Sequence, residues 1–114
     1  MTDETTRDQP LTPAVFHVLL ALADGPLHGY AVMKRAEEHS GLAMGPGTIY
    51  GSLQRLEEAG WVDVSTAEGD ARRTRRFGLT GEGRAALRAE AGRLSRLARL
   101  VEEKDLLPNP VAGG

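Results

Sequence analysis

The sequence predicts a mainly α-helical chain with a small β-hairpin, a winged helix-turn-helix followed by a long C-terminal helix. Three observations carry this prediction. Apolar residues recur at helical spacing in three short segments before Gly60. The period then becomes strand-like at Trp61, Val62 and Val64, and again from Thr74 to Leu79, after the turn-like Ala67-Glu68-Gly69-Asp70. Beyond Thr80, Leu87, Ala91, Leu94, Ala98 and Val101 follow at spacings of four, three, four and three, a stripe suited to packing on another helix.

Each element has local grounds. Residues 1–10 are polar and acidic and are read as a disordered N-terminal tail. Thr12 supplies a capping hydroxyl and Pro13 a residue whose missing N–H is not needed at a helix start. Val15, Leu19, Leu22 and Ala23 give that first helix its buried stripe to about Ala23, and Asp24-Gly25-Pro26 turns the chain. The second helix is expected from about His28 to His39. Tyr30, Val32, Met33 and Ala36 form its apolar side, and Ser40-Gly41 stops it. The third is expected from about Pro46 to Ala59, with Ile49, Leu53 and Leu56 inward and Gly60 releasing the chain into Trp61. Thr80 caps the fourth, whose stripe Leu97 and Leu100 widen. The expected division is therefore a helix-and-hairpin domain over 11–80, a long helix over 81–105 and a flexible, Pro- and Gly-rich tail over 106–114.

Composition narrows the functional classes. A chain of 114 residues suggests one domain with a modest core. With 4% aromatics, that core must be built from Leu, Val and Ala. The absence of cysteine removes disulfides and thiolate metal sites. His17, His28 and His39 lie on separate segments with no carboxylate at ligand spacing, so no metal is expected. No nucleophile has a base arranged around it, and no cofactor motif is present, so an enzyme is not expected. The N-terminus lacks the apolar run of a signal peptide, and nothing approaches the roughly 20 apolar residues of a membrane span. The expectation is a cytoplasmic protein with no membrane partner. A net charge of −2 argues against nucleic acid as a partner when taken as a sum. The distribution argues the other way, because Arg72, Arg73, Arg75 and Arg76 crowd one short window while the acids lie elsewhere.

Three stretches together resemble the PadR family of bacterial transcriptional regulators. LLALADGPLHGYAVMK, residues 19–34, is similar to the family's first helix, Gly-Pro turn and His-Gly-Tyr helix start. GPGTIYGSLQRLEEAGWV, residues 45–62, is similar to its recognition helix, and RRFGLTGEGRAAL, residues 75–87, to its wing return strand and dimer-helix start. One departure is visible in the wing, where Arg76 stands in a place often aromatic and Gly78 in one often basic. The single C-terminal helix resembles the compact branch of the family. The resemblance implies a homodimeric repressor that binds double-stranded DNA at a palindromic operator and is released by a small-molecule effector.

The candidate DNA-binding residues follow from helix geometry and this resemblance. At roughly 100° per residue, Gly47, Gly51, Gln54 and Arg55 lie opposite the buried stripe, with Thr48 and Ser52 on one flank and Tyr50 on the other. Thr48, Ser52 and Gln54 can hydrogen-bond bases, Arg55 can pair with guanine or phosphate, and Tyr50 can donate to phosphate. Gly47 and Gly51 admit a close backbone approach. The wing offers Arg72, Arg73, Arg75 and Arg76 to the phosphate backbone or the minor groove. Arg73 and Arg75 share a face with Phe77 and can instead lie over the core. Tyr30 and Lys34 are further backbone candidates, whereas His28 is read as a cap and Trp61 as core. The dimer interface is expected on Leu87, Ala91, Leu94, Leu97, Ala98 and Val101. The competing reading is a winged-helix module for protein–protein contact without specific DNA binding, which the net acidity favours.

Overall fold

The computed structural model describes residues 10–66 and 75–108. Helix α1 spans Pro13–Ala21, strand β1 Leu27–His28, helix α2 Gly29–Ser40 and helix α3 Pro46–Glu58. Strands β2 (Val62–Thr66) and β3 (Arg75–Leu79) follow, and helix α4 spans Gly81–Glu103. The expected 1–10 tail, the wing turn, Arg72, Arg73 and the last residues of the 106–114 tail fall wholly or largely outside the described residues.

The starts and stops have identifiable chemistry. The Thr12 hydroxyl accepts from the Val15 N–H at 3.2 Å, and Pro13 opens α1. The helix ends at Ala21, two residues before the expected Ala23. Its last turn tightens there, with the Ala23 N–H donating to the Leu20 carbonyl at 3.1 Å. Gly41, at φ +74°, closes α2. At the end of α3 the Trp61 N–H donates to the Leu56 carbonyl at 2.9 Å and the Gly60 N–H to that of Glu57 at 3.1 Å. This paired closure needs a left-handed residue, and Gly60 sits at φ +84°. The exit from α3 into the wing is thus fixed by backbone geometry.

The sheet has three strands where the sequence suggested two. β3 is central, in the order β1-β3-β2, and both pairings are antiparallel. Val64 faces Phe77 across β2–β3, and Leu27 faces Phe77 across β1–β3. β1 is two residues long, too short to show alternation, so no periodicity could announce it. Its effect is to tie the wing to the start of α2.

The core gathers Val18, Leu19 and Leu22 of the α1 region, Val32 and Ala36 of α2, and Ile49, Leu53 and Leu56 of α3 around Val62, Phe77 and Leu87. Trp61 packs half-buried against it. α4 joins through its first turns only: Gly83, Ala86, Leu87 and Glu90 are buried, at the three- and four-residue spacing of one helix face. A Cβ at Gly83 would collide with the Trp61 carbonyl, so this crossing requires glycine. Leu87, only 7% exposed, belongs to the domain core and not to an intersubunit stripe, which corrects its expected role. Arg93 closes the covered half of α4 by donating to both carboxylate oxygens of Glu90, at 3.1 and 2.5 Å. That pairing holds the Glu90 carboxyl below its ordinary value of 4.5 against the opposing effect of burial, helped by the Leu11 backbone.

Beyond Glu90, Arg93 and Leu94 still line a hollow with Leu11, Pro13, Phe16 and His17, and the residues from Ser95 to Leu100 are exposed. Leu94, Leu97 and Leu100 are 36%, 43% and 49% exposed. The helix closes with the same paired geometry as α3: the Leu106 N–H donates to the Val101 carbonyl and the Asp105 N–H to that of Glu102, with Asp105 at φ +60°.

Candidate nucleic-acid interface

α2 and α3, joined through residues 41–45, form the helix-turn-helix, and the β2–β3 wing flanks α3. Gly45 precedes α3 in extended backbone and Pro46 opens it, with no side-chain cap on its first N–H groups. Those groups and the positive end of the helix dipole are available to an anion.

The outer side of α3 presents Gly47, Thr48, Gln54 and Arg55, all exposed, with Gly51 half-buried among them. A Cβ at Gly47 would meet nothing within 4 Å, and one at Gly51 would meet only the Arg55 guanidinium, 3.8 Å away. Neither glycine has a positive φ. Among the described residues nothing therefore requires these positions to lack a side chain, in contrast to Gly83.

Ser52 is a correction. It is 0% exposed and faces the core, one helical turn from both Ile49 and Leu56. Its hydroxyl has no hydrogen-bond partner and cannot reach a groove from there. Tyr50 is exposed, but its ring lies over Gly29, where a Cβ would come within 2.7 Å of the phenol oxygen. Gly29 thus acts as the seat of the Tyr50 ring. Tyr30 and Lys34 lie exposed on α2, one turn apart.

The wing places its arginines differently from one another. Arg76 is exposed and stands opposite His28 and Ser65 in the sheet. Arg75 turns toward α3. Its guanidinium is 3.5 Å from Glu57 and 5.3 Å from the centroid of the Phe77 ring. Its carbonyl accepts from the His28 Nδ1–H at 3.3 Å, in the tautomer that carries a proton there. His28 makes no side-chain cap on α2, so its role is this tether and not the expected capping. A cleft of about 390 Å³ separates α3 from the wing, lined by Tyr50, Leu53, Gln54, Glu57, Arg75 and Phe77.

Sequence reasoning places Glu57 on α3 as a residue that repels phosphate, and misses both its pairing with Arg75 and the seat that Gly29 gives Tyr50. The His-Gly-Tyr start offered a signal for Gly29, a helix-opening glycine with no turn to serve. The Glu57–Arg75 pairing had none, because it depends on hairpin register. Among the described residues no group of three or more His, Asp or Glu is placed to hold a metal ion, and no helix is long and apolar enough to cross a membrane.

Comparisons with known proteins agree on one family. Residues 18–89 match the transcriptional regulator PadR-like family. The chain is 36% identical over 85 residues to the transcriptional regulator Rv3488 of Mycobacterium tuberculosis, covering 75% of this chain and 78% of that one. It is 48% identical over 86 residues to an uncharacterized transposon protein of Streptomyces fradiae, covering 75% of this chain but 24% of the relative, so it spans about a quarter of that protein. Among solved structures, a PadR family transcription regulator from Clostridium difficile superposes with a TM-score of 0.72 at 20% identity, covering 81% of this chain and 97% of that one. PadR of Bacillus subtilis, solved in complex with operator DNA, superposes with a TM-score of 0.58 at 25% identity, over 65% of this chain and 44% of that one. With the winged helix-turn-helix in place and this match across its length, the chain belongs to the PadR-like family of transcriptional regulators.

Proposed function

We propose that this chain is a homodimeric, sequence-specific DNA-binding regulator that represses transcription from a palindromic operator and leaves it when a small effector binds. The observation that carries the reading is the bare outer face of α3. Gly47 and Gly51 have room for side chains that the chain does not use, beside the exposed Thr48, Gln54 and Arg55. Gly51, in the helix interior, weakens α3 by about 1 kcal/mol, a cost with no return among the described residues of the domain. A major-groove floor supplies the return, because it meets the helix backbone closely while Thr48, Gln54 and Arg55 reach base edges. Arg76, with Arg72 and Arg73 as candidates from the sequence, then serves the phosphate backbone, as do Tyr50, Tyr30 and Lys34. The relative solved with operator DNA supports the same use of the fold.

The second half of the proposal rests on α4. Leu94, Leu97 and Leu100, with Ala91, Ala98 and Val101, form an apolar stripe that the domain leaves uncovered. Burying the exposed part of these leucines from both protomers contributes roughly 5–9 kcal/mol before the entropy of association is subtracted. A two-fold pair spaces its recognition helices by about 34 Å, one turn of DNA. An effector acts by favouring a dimer whose reading heads are set at another spacing.

A mobility-shift titration on the region upstream of the protein's own gene, against random duplex of equal length, tests the reading. Specific binding that Arg55→Ala weakens at least tenfold is expected. Equal affinity for both duplexes, unaffected by Arg55→Ala, leaves the protein–protein module as the better account.

A further inference from the structure

We propose that Glu57 serves as an internal substitute for DNA phosphate: it holds Arg75 against the flank of α3 and withdraws that arginine from phosphate contact. The effect is to lower affinity for DNA of any sequence while leaving base reading to α3. The inference rests on the DNA-binding reading above and assigns Glu57 an affinity-setting role within it.

The geometry carries the argument. A carboxylate and a phosphate offer a guanidinium the same kind of partner, oxyanion oxygens. Glu57 already provides one at 3.5 Å, and the Phe77 ring provides a second attraction at 5.3 Å. Arg75 is further fixed at its backbone, where its carbonyl accepts from His28. Among the described residues lining the cleft between α3 and the wing, Glu57 and Arg75 are the charged ones, and they face each other across it. Arg76, next along β3, projects to the other face of the strand and remains exposed. The two neighbours therefore have different roles: Arg76 is free for phosphate and Arg75 is engaged.

Phosphate contacts supply non-specific affinity, and discrimination is the ratio of specific to non-specific binding. Withdrawing one arginine lowers both about equally, so overall affinity falls while base discrimination stays with α3. The pair is about half exposed, at 55% and 41% for its two side chains. The expected effects are accordingly several-fold and not orders of magnitude.

The test is a salt titration of binding to random-sequence duplex, using the full chain as wild type, Glu57→Gln, Arg75→Gln and the double variant. Glu57→Gln should bind more tightly and steepen the dependence of log K on log salt by about 0.9, one phosphate. That equals about a further threefold loss of affinity between 50 and 200 mM salt. Arg75→Gln alone should leave the slope unchanged, and the double variant should lose the gain. A shallower slope in Arg75→Gln overturns the proposal, because Arg75 then already contacts phosphate. An unchanged slope in Glu57→Gln overturns it as well. So does a gain that survives in the double variant, since Glu57 would then act by simple repulsion. A wild type that binds no duplex removes the regulator reading and this inference together, whereas contrary variants of a DNA-binding wild type remove only the inference.

Discussion

The outer face of α3 and the outer half of α4 are both left uncovered by the domain, and they are built from opposite chemistry. α3 shows glycine, threonine, glutamine and arginine, whereas α4 shows Leu94, Leu97 and Leu100. The glycines of the two helices differ in the same sense. Gly83 is required by the Trp61 carbonyl lying against it, while Gly47 faces open space and Gly51 only the movable Arg55 guanidinium, 3.8 Å from a Cβ. An uncovered apolar stripe suits a second apolar surface, and an uncovered polar, side-chain-poor face suits a polar groove. The contrast fits the proposal that the two helices are completed by different partners, and it can be broken at either end.

The largest effect is expected on α4. Leu97→Glu should place a charge in the proposed symmetric interface, halve the mass seen by analytical ultracentrifugation and lower operator affinity by about 100-fold or more through lost bivalency. The melting of the domain itself should change little, since Leu97 is already exposed there. Gly83→Ala comes next. Its methyl collides with backbone that cannot rotate away, so denaturant titration should show a loss of at least about 2 kcal/mol. Smaller still is Ser52→Ala, which removes an unpartnered buried hydroxyl. It should leave DNA affinity unchanged and raise stability by up to about 1 kcal/mol. A clear loss of operator binding in Ser52→Ala would mean that α3 sits differently from the arrangement described.

The smallest effect concerns the border between the two halves of α4. Pairing with Arg93 lowers the folded-state value of Glu90 below 4.5. Its contribution to stability is therefore fully present above that value and is lost as pH falls through the lower folded value. Denaturation midpoints measured from neutral pH into this acid window should fall less steeply for Glu90→Gln than for the wild type.

Much of this could be read in the sequence, and the gaps have physical reasons. Helix starts were legible because Thr12, Pro13, Pro46 and Thr80 act locally, within a turn of where they stand. Gly41 and Gly60 were legible as stops for the same reason. Ser52 was misplaced because a small polar residue on the flank of a wheel looks exposed until the neighbouring helix is known. Periodicity starts the apolar stripe at Leu87, which the domain core buries, because it gives the face of a helix but not where its own domain stops covering it. β1 and the Glu57–Arg75 pair were illegible for a further reason: both depend on which distant residue the sheet register brings alongside.

The central claim is that the bareness of α3 serves a partner and not the fold. Gly51→Ala tests it most directly, with thermal melting and operator binding measured on the same preparation. The predicted result is a gain of about 1 kcal/mol, or roughly 4–8 °C in Tm, together with operator affinity reduced tenfold or more. The same gain in Tm with operator affinity unchanged would contradict the account, because the space above Gly51 would then be empty in the complex as well.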